Sequence, residues 1–156
     1  MSLDALKILQ EYSDRMVQTV YDKDFEAHKN GFHIPFSLIS TEGDITMYSR
    51  EQLRFGFDSV LKLCAGRSNL TITRRVQDAT LTSDTRLLGS YTTVINAADE
   101  VIMPEWQSAT ELVLENGVWR AKWIANDLTR MNWPTHPANP ENAMSNNSTE
   151  AHNAED

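Results

Sequence analysis

The chain has little of several things that decide what a protein can be. It contains one cysteine, Cys64, in 156 residues, and one thiol makes neither an intrachain disulfide nor a cysteine-based zinc site. This favours a reducing, cytoplasmic location. The sequence also has no apolar run long enough to span a bilayer, and its N-terminus lacks a basic stretch followed by an apolar one. We therefore expect no signal peptide and no membrane partner.

Positive charge is scarce as well. The sequence has 14 Lys and Arg against 22 Asp and Glu, for a net charge of −8 at pH 7. Its one basic doublet, Arg74-Arg75, is interpreted as a pair of outward or bulged strand residues. Because binding to a phosphate backbone needs clustered Lys and Arg, we expect no nucleic-acid partner. The histidines are scattered, with His28 and His33 five residues apart, so we expect neither a metal site nor a cofactor.

Three helices are predicted from the spacing of apolar residues. Ser49 and Gln52 form a capping box ahead of the third helix, and residues 22–30 predict a short second helix that leaves His28 exposed. The first helix, over residues 3–21, carries one apolar stripe: Ala5, Leu9, Tyr12, Met16 and Val20. Such a stripe indicates a helix that lies on an apolar surface.

Alternating apolar and polar residues predict strands over 36–40, 45–48, 70–82, 86–98, 101–115 and 118–128. Asn116-Gly117 is a strong hairpin signal, because a type I′ turn needs positive φ at both central positions. Sequential neighbours are expected to be antiparallel. Alternation along the last strand predicts that Trp119, Trp123 and Asp127 share one face.

The composition changes after residue 133. Residues 134–156 are rich in proline and asparagine, acidic, and almost free of large apolar side chains, so they are predicted to form a disordered or loosely docked tail. Residues 1–133 are long enough for one domain with a real core.

The order of elements, and above all the run from Ser108 to Arg120 (SATELVLENGVWR), resembles the nuclear transport factor two-like superfamily. This superfamily, also known as the SnoaL-like or cystatin-like α+β roll, includes ketosteroid isomerase, scytalone dehydratase and polyketide cyclases. The resemblance implies an α+β, cone-shaped roll in which a strongly curved, mainly antiparallel sheet wraps around an N-terminal helix, with two further helices. It also implies a homodimer through the convex sheet face and a pocket between the first helix and the sheet.

The pocket predicted in this way has a largely apolar wall suited to a small apolar or polycyclic molecule. The same side chains would serve equally as a core that holds no ligand. The predicted ligand-binding residues are Tyr12, Met16, Phe36, Tyr48, Phe57, Tyr91, Trp106, Thr110, Trp119 and Trp123.

Two residues are candidates for acid–base catalysis. His33 enters the first strand near the expected mouth of the cone, and Asp127 continues the Trp119 face, where an apolar setting would raise the pKa of its carboxyl group. The alternatives are a rim residue for His33 and a solvent-exposed strand end for Asp127. The aspartates used by the isomerase have no counterpart at the matching positions, Thr41-Glu42 and Ala109-Thr110.

The leading hypothesis is a homodimeric protein that binds a small, largely apolar molecule in the cone. The first alternative is a cofactor-free lyase, isomerase or cyclase of the SnoaL or dehydratase type, acting on a carbonyl or polycyclic substrate. The second is a protein-interaction module in which the cone is only a core.

Overall fold

Three α-helices and a six-stranded sheet make up the computed structural model, which describes residues 3–127. The helices are α1 (Leu3–Tyr21), α2 (Phe25–Lys29) and α3 (Arg54–Cys64), and a 3₁₀ turn over Arg50–Leu53 leads into α3. The strands are β1 (Phe32–Ser40), β2 (Gly43–Met47), β3 (Leu70–Ser83), β4 (Arg86–Ala97), β5 (Glu100–Glu115) and β6 (Val118–Asn126). The tail predicted over residues 134–156 lies outside the described residues.

The sheet has the strand order β2-β1-β6-β5-β4-β3. Neighbouring strands are antiparallel except β1 and β6, which run parallel and bring the last strand beside the first. The β5–β6 hairpin turns at Asn116 and Gly117, whose φ angles of 50° and 79° are both positive. The predicted Asn-Gly hairpin is confirmed, and so is the mainly antiparallel α+β fold class.

Helix α1 lies on the concave side of the sheet. Its residues Ala5, Leu9, Tyr12 and Met16 are at most 4% exposed, which confirms the predicted stripe. They belong to one cluster of buried side chains with residues of the sheet and the other helices, among them Phe36, Leu87, Tyr91 and Leu112. Burial of this stripe therefore fixes the helix inside the curve of the sheet.

A glycine allows this close approach of helix to sheet. A Cβ atom at Gly89 of β4 would overlap the side chain of Leu9 and lie 2.8 Å from the carbonyl oxygen of Asp78. Any larger residue would push α1 away from the strands.

A bulge in β6 reverses which side chains face the helix. Leu112 pairs with Ala121 and Glu111 with Trp123, so Lys122 has no partner residue on β5. One extra residue moves every later side chain to the opposite face. Trp119 and Ala121 therefore face α1, whereas Trp123 lies on the outer, convex face. The prediction that Trp119, Trp123 and Asp127 share a face is wrong for this reason.

The third helix begins later than its capping signal suggests. Gln52 Oε1 accepts hydrogen bonds from the amides of Tyr48 and Ser49, at 2.6 and 3.3 Å, but the first turn after Ser49 is 3₁₀ and α3 proper starts at Arg54. No helix within residues 3–127 combines the length and the apolar character needed to cross a bilayer.

Candidate functional site

A cavity of about 90 Å³ lies between the helices and the concave face of the sheet. A water molecule needs roughly 10–15 Å³ of such space, so the cavity has room for several waters or a small organic molecule. Most of its wall is apolar, including Met16, Val17 and Val20 of α1 and Ile72, Ile95 and Trp106 of the sheet. Three polar side chains, His28, Arg74 and Thr93, also reach it.

Arg74 lies on the inner face of β3, opposite Thr93 of β4. The alternation that points Ile72 and Val76 inward does the same for Arg74. Its guanidinium carbon is 5.1 Å from the centroid of the Tyr91 ring, a cation–π contact that offsets part of the cost of burial. The interpretation of Arg74 as an outward or bulged residue is wrong, whereas Arg75 is exposed.

The positive charge of Arg74 is not neutralised by the described part of the chain. Its Nε atom is buried without a hydrogen-bond partner, and no Asp or Glu within residues 3–127 forms an ion pair with it. Arg74 is half-buried, and a charge that is partly withdrawn from water without a partner carries a desolvation cost. The guanidinium therefore favours an anion or a strong hydrogen-bond acceptor beside it.

Thr93 adds a second unsatisfied group next to Arg74. Its side chain is 1% exposed, and its hydroxyl oxygen has no hydrogen-bond partner among the described residues. Buried hydroxyls are nearly always paired. Two neighbouring polar groups on the cavity wall thus have hydrogen-bonding capacity that residues 3–127 leave unused.

His28 approaches the cavity from α2 as a neutral imidazole. Burial, and to a lesser extent the charge of Arg74, lowers the pKa of His28 from 6.5 to about 4. Its ring centroid lies 4.6 Å from that of Phe57 and 5.2 Å from that of Phe32. The prediction that His28 is exposed is therefore wrong.

The hydrogen bonds around His28 define its tautomer. The Thr19 hydroxyl donates to the carbonyl oxygen of Met16 at 2.6 Å. The hydroxyl oxygen of Thr19 also lies 2.9 Å from His28 Nδ1. Because the hydroxyl has only one proton, its oxygen accepts from Nδ1–H. The neutral ring then carries its lone pair on Nε2.

Tyr12, a predicted ligand-binding residue, lines the cavity with its hydroxyl already engaged. The hydroxyl donates to the carbonyl oxygen of Gly31 at 2.9 Å, the same oxygen that accepts from the amide of Ala121. Burial, reinforced by Tyr91, raises the pKa of Tyr12 well above its usual range. Its main role is therefore to join α1 to the start of β1.

The other predicted ligand-binding residues fall into three groups. Met16 and Trp106 line the cavity with Tyr12. Three residues lie outside the wall: Tyr48 is 72% exposed, Trp119 packs on the core, and Trp123 lies on the outer face. The remaining four are buried in the surrounding core and support the wall without lining it: Phe36, Phe57, Tyr91 and Thr110.

The two predicted catalytic residues do not line the cavity. His33 follows Phe32, which faces the cavity, so it points to the opposite face of β1, and its Nδ1 lies 3.0 Å from Glu115 Oε2. Asp127 is exposed, and its Oδ1 accepts from the amide of Gln107 at 3.1 Å. The bulge at Lys122 accounts for its position. Within residues 3–127 no group of three or more His, Cys, Asp or Glu is arranged to hold a metal ion.

No protein-family model and no curated protein sequence matches the chain. A cystatin-like domain of unknown function from Nostoc punctiforme is similar in structure, with a TM-score of 0.62 and 11% identity, over 83% of this chain and 81% of that one. An NTF2-like protein of unknown function from Shewanella oneidensis gives a TM-score of 0.60 and 10% identity, over 78% and 98% of the two chains.

A ketosteroid isomerase-like protein from Erwinia carotovora atroseptica is also similar, with a TM-score of 0.57 and 14% identity over 78% of this chain and 94% of that one. At such identities the similarity concerns the fold. The chain has the NTF2-like, cystatin-like α+β fold, and the expectation drawn from the residues around the Asn116-Gly117 hairpin is confirmed.

Proposed function

We propose that the protein binds a small molecule in the cavity between α1 and the concave face of the sheet. The observation that carries this proposal is a largely apolar wall with a few convergent polar groups, Arg74, Thr93 and His28, at one place. Ligand sites commonly combine these features. The volume of about 90 Å³ is below the roughly 300–1,000 Å³ of sites for drug-sized ligands, so it favours a single ring or a short chain over a polycyclic molecule.

Filling the cavity tests this proposal. Val60 of α3 lines it, and Val60→Phe would occupy space that a ligand needs. Val101→Phe is the matched control, because Val101 is 61% exposed and lies away from the wall. Binding of toluene, followed by chemical shifts of the methyl groups, is expected in the wild type and the control and is expected to be lost in Val60→Phe. Equal binding by both variants, or no binding by the wild type, would refute the proposal.

A second candidate function is an acid–base enzyme of the lyase, isomerase or cyclase type, with His28 as the base in place of His33 and Asp127. The free Nε2 lone pair of a neutral imidazole favours it. However, efficient proton transfer needs a base whose pKa lies near the working pH, and the pKa of His28 is lowered to about 4. This difference makes binding the better supported function. Turnover of a small carbonyl substrate that disappears in His28→Asn would make catalysis the better supported function.

We also propose that two copies associate through the outer face of the sheet. Leu88 on this face is 42% exposed, and Trp123 lies on the same side because of the bulge. A contiguous apolar patch on an outer sheet face can serve as an interaction surface, and Leu88 and Trp123 would form its apolar part on either side of Glu111. Light scattering is expected to show a dimer that Leu88→Glu dissociates, and a monomeric wild type would contradict this. If the dimer forms and the cavity binds nothing, the interaction-module hypothesis takes precedence.

A further inference from the structure

We propose that the ligand of this cavity is a small organic acid whose carboxylate binds Arg74 and Thr93. The inference rests on the proposed binding function and names the chemical class of the ligand.

The first step is charge. Arg74 reaches the cavity without a carboxylate partner within residues 3–127, and the Tyr91 ring supplies only a quadrupole beneath the guanidinium. A planar guanidinium with unused N–H donors matches a carboxylate in charge and in geometry. A neutral ligand would leave the cation without a counter-charge.

The second step is the neighbouring hydroxyl. Thr93 pairs with Arg74 across β3 and β4, and its buried hydroxyl lacks an acceptor within the described residues. A carboxylate has two oxygens with several lone pairs, so one group satisfies both unpaired donors. Two or three ordered waters would satisfy them only partly, since they leave the charge of Arg74 in place.

The third step orients the ligand. His28 presents an unprotonated Nε2, which repels a carboxylate, so the acid group belongs at the β3–β4 wall and away from α2. The remaining wall near Met16, Ile72 and Ile124 is apolar and suits a hydrocarbon ring or short chain. A single guanidinium and a small volume favour a monoanion over a phosphate dianion.

Benzoate, benzamide and toluene are the probes that test this inference, titrated into the full chain at pH 7. Benzoate and benzamide have almost the same shape and differ in charge, so the ratio of their affinities reports the anion preference. We expect benzoate to bind the wild type at least tenfold more tightly than benzamide. Arg74→Met is expected to abolish this preference, and Thr93→Val to reduce it several-fold. Arg75→Met, a matched substitution on the outer face, is expected to leave it unchanged.

The outcomes separate the two proposals. If toluene or benzamide binds and benzoate shows no advantage, the ligand class is wrong and the cavity remains a binding site. If none of the three binds, both proposals fall. If benzoate binds but Arg74→Met keeps the preference, the assigned carboxylate site is refuted. Should Arg74→Met fail to fold, Arg74→Lys keeps the charge and loses the planar guanidinium, and an undiminished preference in that variant would overturn the geometric match between guanidinium and carboxylate.

Discussion

His28 should make the stability of this protein fall steeply in mildly acidic solution. The pKa of His28 is lowered in the folded protein from 6.5 to about 4, so between these pH values the unfolded chain binds a proton that the folded chain does not. Stability then rises with pH in this window. The contribution of neutral His28 to the free energy of unfolding is fully present above pH 6.5 and is lost as the pH falls towards 4.

The size of the effect follows from the two pKa values. One pKa unit corresponds to 1.36 kcal/mol, so the lowering from 6.5 to about 4 amounts to at most about 3 kcal/mol. The actual value will be somewhat smaller because His28 is partly exposed. Against a total stability of about 5–15 kcal/mol for a typical domain, a loss of this size is easy to measure.

Urea unfolding at several pH values between 7 and 4 measures this contribution. In His28→Asn the amide nitrogen keeps a donor for Thr19 without a titrating ring, so the loss of unfolding free energy across the window should be smaller than in the wild type by up to about 3 kcal/mol. Val101→Asn, at a position that is 61% exposed and away from His28, is the control and should retain the steep dependence of the wild type. Parallel curves for the wild type and His28→Asn would refute the buried neutral imidazole.

Two further predictions concern how α1 is held. Gly89→Ala should lower the free energy of unfolding by about 1–3 kcal/mol, because the new Cβ would overlap the Leu9 side chain. Gly56→Ala, in an open position of α3, should instead raise it by up to about 1 kcal/mol. Urea unfolding measures both changes, and changes of the same sign would contradict the close approach of α1 to β4. Tyr12→Phe should cost about 0.5–1.5 kcal/mol, since the Gly31 carbonyl keeps its bond from the Ala121 amide. A neutral effect would mean that the hydroxyl bond contributes nothing.

The parts of the fold that could be predicted are those determined by residues close together in the sequence. The stripe from Ala5 to Met16 follows from helical spacing alone, and the Asn116-Gly117 turn follows from the backbone conformation that these residues tolerate. Local chemistry of this kind needs no knowledge of which strands pair. The predicted helix and hairpin therefore indicated the correct fold class.

The faces of β6 were not predictable in the same way. A strict two-residue alternation joins Trp119 to Trp123 and Asp127, and the bulge at Lys122 appears only when β6 is paired with β5. Register between strands is a tertiary property, and a single extra residue reverses every side chain beyond it. This one event removes Trp123 and Asp127 from the predicted cavity wall.

Two of the site's polar residues did have a signal in the sequence. Arg74 stands in the apolar phase of β3, between Ile72 and Val76, and an arginine in that position points to the concave face. His28 follows Phe25 by three residues and so shares its buried side of α2. Thr93 offered no signal, because a threonine is ordinary on either face of a strand.

The most direct test of the central claim, that the cavity under α1 is a binding site, is to map where benzoate contacts the protein. In a methyl-labelled sample saturated with benzoate, intermolecular nuclear Overhauser effects should connect the ring protons to the methyl groups of Met16, Ile72 and Ile124. These three side chains line the cavity from α1, β3 and β6. Contacts only with exposed side chains such as Val101, or no contacts at saturation, would contradict the account.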